Sequence, residues 1–194
     1  NDTLNSYAHP AISPDGEWIY FVSDMPGGYG GLDLWRVEIG GRFIGAENLG
    51  PDINTPGNEM FPTFRRNGEL YFSSDGHPGM GGLDIFKAVS VSDSTWTVEN
   101  MKSPVNSFAD DFGMTFEGDY TRGFFSSNRN DGRGRDHIYT FELPETVHKI
   151  TGWVYEKDGY ELTDAIVYLV GDDGTNTKLG VRDDGSFTQR VNPG

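Results

Sequence analysis

The feature that most constrains this chain is a repeat of about 51 residues. The run "YFVSDMPGGYGGLDLW" at 20–35 returns as "YFSSDGHPGMGGLDIF" at 71–86, an offset of 51. A third copy, "FFSSNRNDGRGRDHIY" at 124–139, follows at about 52. The flanks recur too: "LGPDINTPGNEMFP" ends at Pro62, "MKSPVNSFADDFGM" ends at Met114, and "LNSYAHP" at 4–10 fits the same slot. A period of this length means tandem copies of one supersecondary unit, each burying its apolar faces on its neighbours.

Each copy reads as short strands. In the first, Ala8–Ser13 is extended and Ser13-Pro14-Asp15-Gly16 carries Pro and Gly where a β-turn wants them. Trp18–Ser23 alternates bulky residues, Leu32–Glu38 follows a Gly-rich loop, and a weaker fourth strand is expected near Arg42–Leu49. The second copy repeats this with Met60–Phe64, Leu70–Ser74, Leu83–Val89 and Trp96–Glu99. The third has Gly113–Phe116, Gly123–Ser127 and His137–Glu142, and no fourth strand. A helical repeat is excluded because Gly and Pro interrupt every candidate helix. Four short strands per unit of this length is the mark of a β-propeller blade. Three blades do not readily close a ring, so further blades are expected upstream of Asn1. A strand from the other end of the ring would complete the third.

Composition supports an all-β reading. Aromatic residues make up 13% and Gly 27 of the 194 residues, which suits short strands and tight turns. The formal net charge of −15 repels phosphate backbones and makes nucleic acid a poor partner. There is no Cys, hence no disulfide, zinc–thiolate site or thiol nucleophile. No apolar run reaches the roughly 18 residues of a membrane helix, and no signal peptide is seen.

The repeats resemble the WD40-like repeat of TolB-type propellers. "SPDG" (13–16), "YFVSD" (20–24), "GGLDLW" (30–35), "YFSSD" (71–75) and "GGLDIF" (81–86) carry the likeness. It covers about residues 4–143, and the "PGGxGGxD" loop with "IN[TS]" resembles the Bacteroidota form. The third copy diverges, with "EGDY" at 117–120 and "GRDH" at 134–137. Past the linker Pro144–Lys149 the pattern changes. Gly152 and Val154, then Ala165, Val167 and Leu169, then Asp183 and Gly185-Ser186-Phe187 resemble the carboxypeptidase regulatory-like domain, a Greek-key β-sandwich. The resemblance implies two domains: propeller blades over 1–145, and a sandwich over 149–194 that is truncated at its C-terminus.

This order of domains resembles PorE-type envelope proteins. It implies an outer-membrane-associated periplasmic lipoprotein of OmpA-family architecture, linked to type IX secretion. Partners would be envelope or secretion-system proteins. Peptidoglycan would be reached only through a domain outside these residues.

Few residues invite chemistry. "GGYGG" (27–31) and "GMGG" (79–82) precede neither a helix pattern nor a Lys, so they are read as structural glycines that allow positive φ rather than as a phosphate cradle. A loop-bound calcium ion would use Asp24, Asp33, Asp75 and Asp84, with Asp136 matching Asp84. The favoured reading is that these carboxylates accept hydrogen bonds from loop N–H groups, and no cofactor is expected. "GRGRDHI" (132–138) lacks the nine-residue recurrence of calcium-binding repeats. "SVSDSTW" (90–96) has Ser94 where a sialidase aspartate box has Gly, and Trp96 is expected to pack inward. His9, His77, His137 and His148 form no ligand pair, and no nucleophile elbow is present. Asp110-Asp111 and Asp183-Asp184 are adjacent pairs whose side chains point apart on a strand. Trp35, Phe86 and Tyr139 are expected in cores between sheets, with Leu34, Ile85 and Ile138 on the opposite face.

The reading is therefore a non-enzymatic interaction scaffold. The alternative is a carbohydrate-binding or glycan-processing propeller module, with Tyr29 and Tyr160 as candidate sugar contacts.

Overall fold

The computed structural model describes residues 4–40, 45–92, 94–130, 132–144, 148–171 and 174–191. Among the described residues the fold is all-β: several antiparallel sheets, none closed on itself. Among the described residues no helix is long and apolar enough to cross a membrane. The chain divides into two units, Asn1–Leu143 and Pro144–Gly194.

Among its described residues the first unit holds three sheets. In the first, β1 (Tyr7–Ile12), β2 (Trp18–Ser23), β3 (Asp33–Glu38) and β4 (Glu47–Asn48) pair in chain order. The second repeats this with β5 (Glu59–Phe64), β6 (Leu70–Ser74), β7 (Asp84–Ser92) and β8 (Thr95–Asn100). The third has β9 (Asp111–Phe116), β10 (Arg122–Ser127) and β11 (His137–Glu142). The first unit's fourth strand is shorter than expected, and residues 41–44 of its expected range lie outside the described residues. The hairpin between β1 and β2 closes as its turn chemistry requires: Gly16 N donates to Ser13 O at 2.9 Å, with Gly16 at φ 76°.

The first strands of the three sheets lie side by side, β1 against β5 and β5 against β9. Each carries a bulge at one equivalent place, where the ladder to the second strand slips. The residue there is left-handed in all three: His9 at φ 49°, Phe61 at φ 56° and Gly113 at φ 67°. Only Gly takes this conformation without strain. The two bulky residues stack on each other, His9 on Phe61 at 4.0 Å between ring centroids, and Phe61 meets Phe112 at 5.1 Å.

Two cores hold the sheets together. Tyr20, Val22 and Leu34 of the first sheet meet Leu70, Phe72 and Phe86 of the second. On the second sheet's other face, Tyr71 and Ile85 meet Met114 and Phe125 of the third. Both faces of the second sheet are thus apolar and covered. Phe86 is buried between the first and second sheets, as expected, and Tyr139 is half-buried against the core between the second and third, whereas Trp35 is buried with Phe21 and Val37 of its own sheet rather than between sheets. Ile138 departs from expectation. Its equivalents Leu34 and Ile85 are both 0% exposed, whereas Ile138 is 78% exposed. No further sheet covers that face of the third among the described residues.

The second unit pairs β12 (His148–Trp153) with β15 (Ser186–Val191), and β13 (Ile166–Val170) with β14 (Asn176–Gly180). Its strands alternate between half-buried and exposed residues, and Ile166, Tyr168 and Val170 form an exposed apolar row. No large hydrophobic residue is buried in this unit among the described residues.

Candidate interaction face at the sheet seams

The glycine-rich loops join β2 to β3 and β6 to β7, and one aspartate clasps each. The Asp33 carboxylate accepts from Tyr29 N at 2.5 Å, Gly30 N at 3.1 Å and Asn48 Nδ2 at 2.8 Å. The Asp84 carboxylate accepts from Met80 N at 2.6 Å and Gly81 N at 3.0 Å. Both aspartates are buried. The glycines serve a purpose other than the one expected. Between 27 and 31 only Gly27, at φ 101°, is left-handed, and none is between 79 and 82. Close approach explains the rest: a Cβ on Gly30 would collide with the Thr55 and Gly57 carbonyls, and one on Gly81 with the Ala109 carbonyl. Each loop is therefore pressed onto the segment that leads into the next sheet.

Asparagines lock that segment down. The Asn54 amide accepts from Leu34 N at 2.8 Å and donates to Leu34 O at 2.9 Å. Asn106 does the same to Ile85, at 2.8 Å both ways. Each amide mimics a peptide unit and extends the ladder of β3 or β7 by one rung. Each also donates to the asparagine that ends the fourth strand, Asn48 at 2.8 Å or Asn100 at 2.9 Å.

A second clasp closes the mouth between the first two strands of the second and third sheets and ties each to the sheet before it. Asn58 N and Nδ2 donate to the two oxygens of Asp75 at 2.6 and 2.8 Å. At the next seam the residue types are exchanged: Asp110 N donates to Asn128 Oδ1 at 3.0 Å, and Asn128 Nδ2 donates to Asp110 Oδ2 at 2.9 Å. The side-chain Oδ1 of Asn58 and of Asp110 reaches the glycine-rich loop of the preceding sheet, accepting from Leu32 N at 3.1 Å and Leu83 N at 3.0 Å.

Beneath each clasp lies a buried acid. Glu59 accepts from Thr55 N, Thr55 Oγ1 and Ser74 Oγ, and burial raises its carboxyl above the usual range. Asp111 accepts from Ser107 N and Oγ and forms an ion pair with Arg129 at 2.5 Å. The aromatic pair beside each acid is also capped. His77 lies 5.0 Å from the Phe86 ring and bonds the Ile53 carbonyl at 2.8 Å. Arg129 lies over Phe125 and Tyr139 and bonds the Val105 carbonyl.

The five aspartates considered for an ion do different jobs. Asp33 and Asp84 hold their own loops. Asp75 holds Asn58, and Asp24 accepts from Ser6 N at 2.6 Å. Asp136 does not match Asp84. His137 pairs with Ser127 as Asp84 pairs with Ser74 and Asp33 with Ser23, so His137 holds that position. Phe116 pairs with Gly123 where Phe64 pairs with Leu70, so the link from β9 to β10 holds one residue more than the link from β5 to β6, which shifts the register. Among the described residues no three His, Asp or Glu side chains converge where they could hold a metal ion. Burial lowers the His9 imidazole, and Trp96 packs inward as expected.

Large apolar side chains remain exposed on these loops. Tyr29 (51%) and Met80 (49%) occupy equivalent loop tips, while Phe108 (79%), Pro56 and Leu4 occupy equivalent places in the neighbouring segments. Sequence reasoning did not find the asparagine locks or the cap residues. The repeated "EN" and "[IV]N" pairs at 47–54 and 99–106 were the available signal for the locks. No protein-family model and no curated protein matches this chain.

Proposed function

We propose that this chain is a non-enzymatic protein-interaction scaffold, with its three sheets forming blades of a larger β-propeller. The second unit is then part of a regulatory-like Greek-key sandwich. One observation carries the reading: the polar groups of the loop end are spent on internal bonds, and large apolar side chains are turned outward on loops those bonds make rigid. Apolar anchors on a preorganised frame are what a protein partner recognises. The resemblance of the repeats supports a place in the bacterial periplasm, associated with the outer membrane. The partners are then envelope or secretion-system proteins.

The test is affinity capture from envelope extracts with the wild-type chain and with Tyr29→Ser, Met80→Ser and Phe108→Ser combined. The wild type should retain a defined set of envelope proteins, and the triple variant should lose it at an unchanged melting temperature. An identical set from both proteins, or none from either, overturns the proposal. A carbohydrate-binding role draws support from the exposed Tyr29 and Tyr160 rings. Glycan-array binding that disappears with Tyr160→Ala would favour it.

A further inference from the structure

The chain has five methionines and no cysteine. The thioethers are therefore its only sulfur atoms, and oxygen-atom transfer from a peroxide falls on them. Cores hold four of the five. Met114 is 2% exposed and lies between the second and third sheets, with Met101 packed against the same core. Met60 packs against the core between the first and second sheets, and Met25 packs against Phe21, Trp35 and Val37. Met80 joins none of these cores and is 49% exposed.

The loop under Met80 is held along its length. Met80 N and Gly81 N donate to the buried Asp84 carboxylate at 2.6 and 3.0 Å. Gly82 N donates to Ala109 O at 3.2 Å, and Leu83 N donates to Asp110 Oδ1 at 3.0 Å. All four donors are main-chain groups, so none of these bonds depends on the Met80 side chain. A polar atom added to that side chain changes the surface and leaves the loop in place. The equivalent tip of the first sheet is Tyr29, which has no sulfur. Of the two equivalent tips, one is open to oxygen transfer and the other is closed to it.

We propose that Met80 is a peroxide-sensitive modification site, and that its oxidation to the sulfoxide releases the protein partner held by the apolar loop tips. Hydrogen peroxide passes one oxygen to the Met80 Sδ. The S–O bond forms, the O–O bond breaks, and the second oxygen leaves as water with both hydrogens. The thioether loses two electrons and the peroxide gains them. A polar sulfoxide then stands where an adaptable apolar side chain stood. Seated in a partner's apolar pocket, its oxygen is desolvated without a hydrogen bond, which weakens the contact. The consequence of the modification rests on the scaffold reading, whereas its position rests on the surroundings of the five methionines alone.

The test treats the whole chain with dilute hydrogen peroxide and follows each methionine by peptide mass mapping. Met80 should gain oxygen at least about fivefold faster than Met25, Met60, Met101 or Met114, since susceptibility follows exposure. Once Met80 alone is oxidised, the melting temperature should be unchanged and retention on a hydrophobic-interaction column should shorten. Capture of envelope proteins should fall about fivefold or more, the effect of losing one interface anchor. It should return after reduction by a methionine sulfoxide reductase with a dithiol. Met80→Gln, which sets a polar amide near the same place, should shorten retention and lower capture without peroxide. Whatever the Met80→Leu chain captures before the treatment, it should capture after it. Earlier oxidation of another methionine, or capture unchanged by the Met80 sulfoxide, overturns this proposal and leaves the scaffold reading standing. Capture of nothing by the untreated chain overturns the scaffold reading and the release with it, even where the peptide map singles out Met80.

Discussion

The seam between the first and second sheets and the seam between the second and third are built to one plan with different chemistry. Both have an asparagine lock, an Asx clasp, a buried acid and a cap on an aromatic pair. At the first seam the acid is Glu59, held by hydroxyl and amide donors, and the cap is an imidazole. At the second the acid is Asp111, ion-paired to Arg129, and the guanidinium is also the cap. Arg129 and His77 are not aligned residues: Arg129 corresponds to Gly76, one position earlier, and its longer side chain reaches the same carbonyl from there. The comparison teaches that a seam demands a set of donors and acceptors at fixed places. Which residues supply them is free to change.

The largest difference between the seams should appear when the acids are removed. Asp111→Ala leaves the Arg129 guanidinium, only 16% exposed, without its counter-charge. Breaking one side of a buried pair costs about 3–5 kcal/mol, and the remaining exposure of Arg129 places the expected loss near the low end, about 3 kcal/mol. Glu59→Gln strands no cation and costs at most one acceptor, that of Thr55 N, so a smaller loss of about 1–2 kcal/mol is expected. Urea unfolding of the two variants checks this, and equal losses would show that the ion pair is not what distinguishes the seams.

The locks should behave alike, which sharpens the comparison from the other side. Asn54→Ala and Asn106→Ala each orphan the buried N–H of Leu34 or Ile85 and take one of the two donors from its carbonyl, which keeps the Leu49 or Met101 N–H. Each should cost about 2–3 kcal/mol. A cost confined to one of them would mean that the two seams share geometry without sharing energetics.

The Asx clasps offer a smaller, more specific test. Asn58→Asp sets a second carboxylate against Asp75, and at this partly exposed site should cost about 1 kcal/mol. Adding Asp75→Asn recreates the arrangement of Asp110 and Asn128 and should recover most of that loss. The measurement is a double-mutant cycle, with a coupling energy above about 0.5 kcal/mol expected. Additive losses would mean that the second clasp owes its stability to surroundings the first lacks.

How much of this was legible beforehand depended on range. Strands and turns are local: alternation in Trp18–Ser23 and the Pro-Asp-Gly turn before it act over a few residues, and the repeat made them readable three times over. The locks act over 20 or 21 residues of sequence, from Leu34 to Asn54 and from Ile85 to Asn106. Nothing in an isolated asparagine announces a partner that distant. The match of Asp136 to Asp84 failed because one extra turn residue changes register without changing composition. The loop glycines were recognised as structural, but their cause is a neighbouring backbone, which a single segment cannot display. In the second unit the alternation of Ile166–Val170 marked a strand correctly, yet alternation does not say whether a covering layer is present.

The smallest expected effect is a pH dependence that belongs to the first seam. Burial raises the Glu59 carboxyl in the folded chain above its ordinary value of 4.5, so the native state binds that proton more tightly than the unfolded state does. The resulting stabilisation is fully present below the unfolded value and is lost as pH rises through the higher folded one. Glu59→Gln keeps a neutral amide at the site and removes the titration. The net charge of −15 shifts stability with pH in both proteins, so the difference between them isolates the one carboxyl. Urea melts at pH 4 and pH 8 should show the variant gaining on the wild type as pH increases. A constant difference would mean that the hydroxyls of Thr55 and Ser74 hold the carboxylate as well as water does. The two seams would then differ only through Arg129.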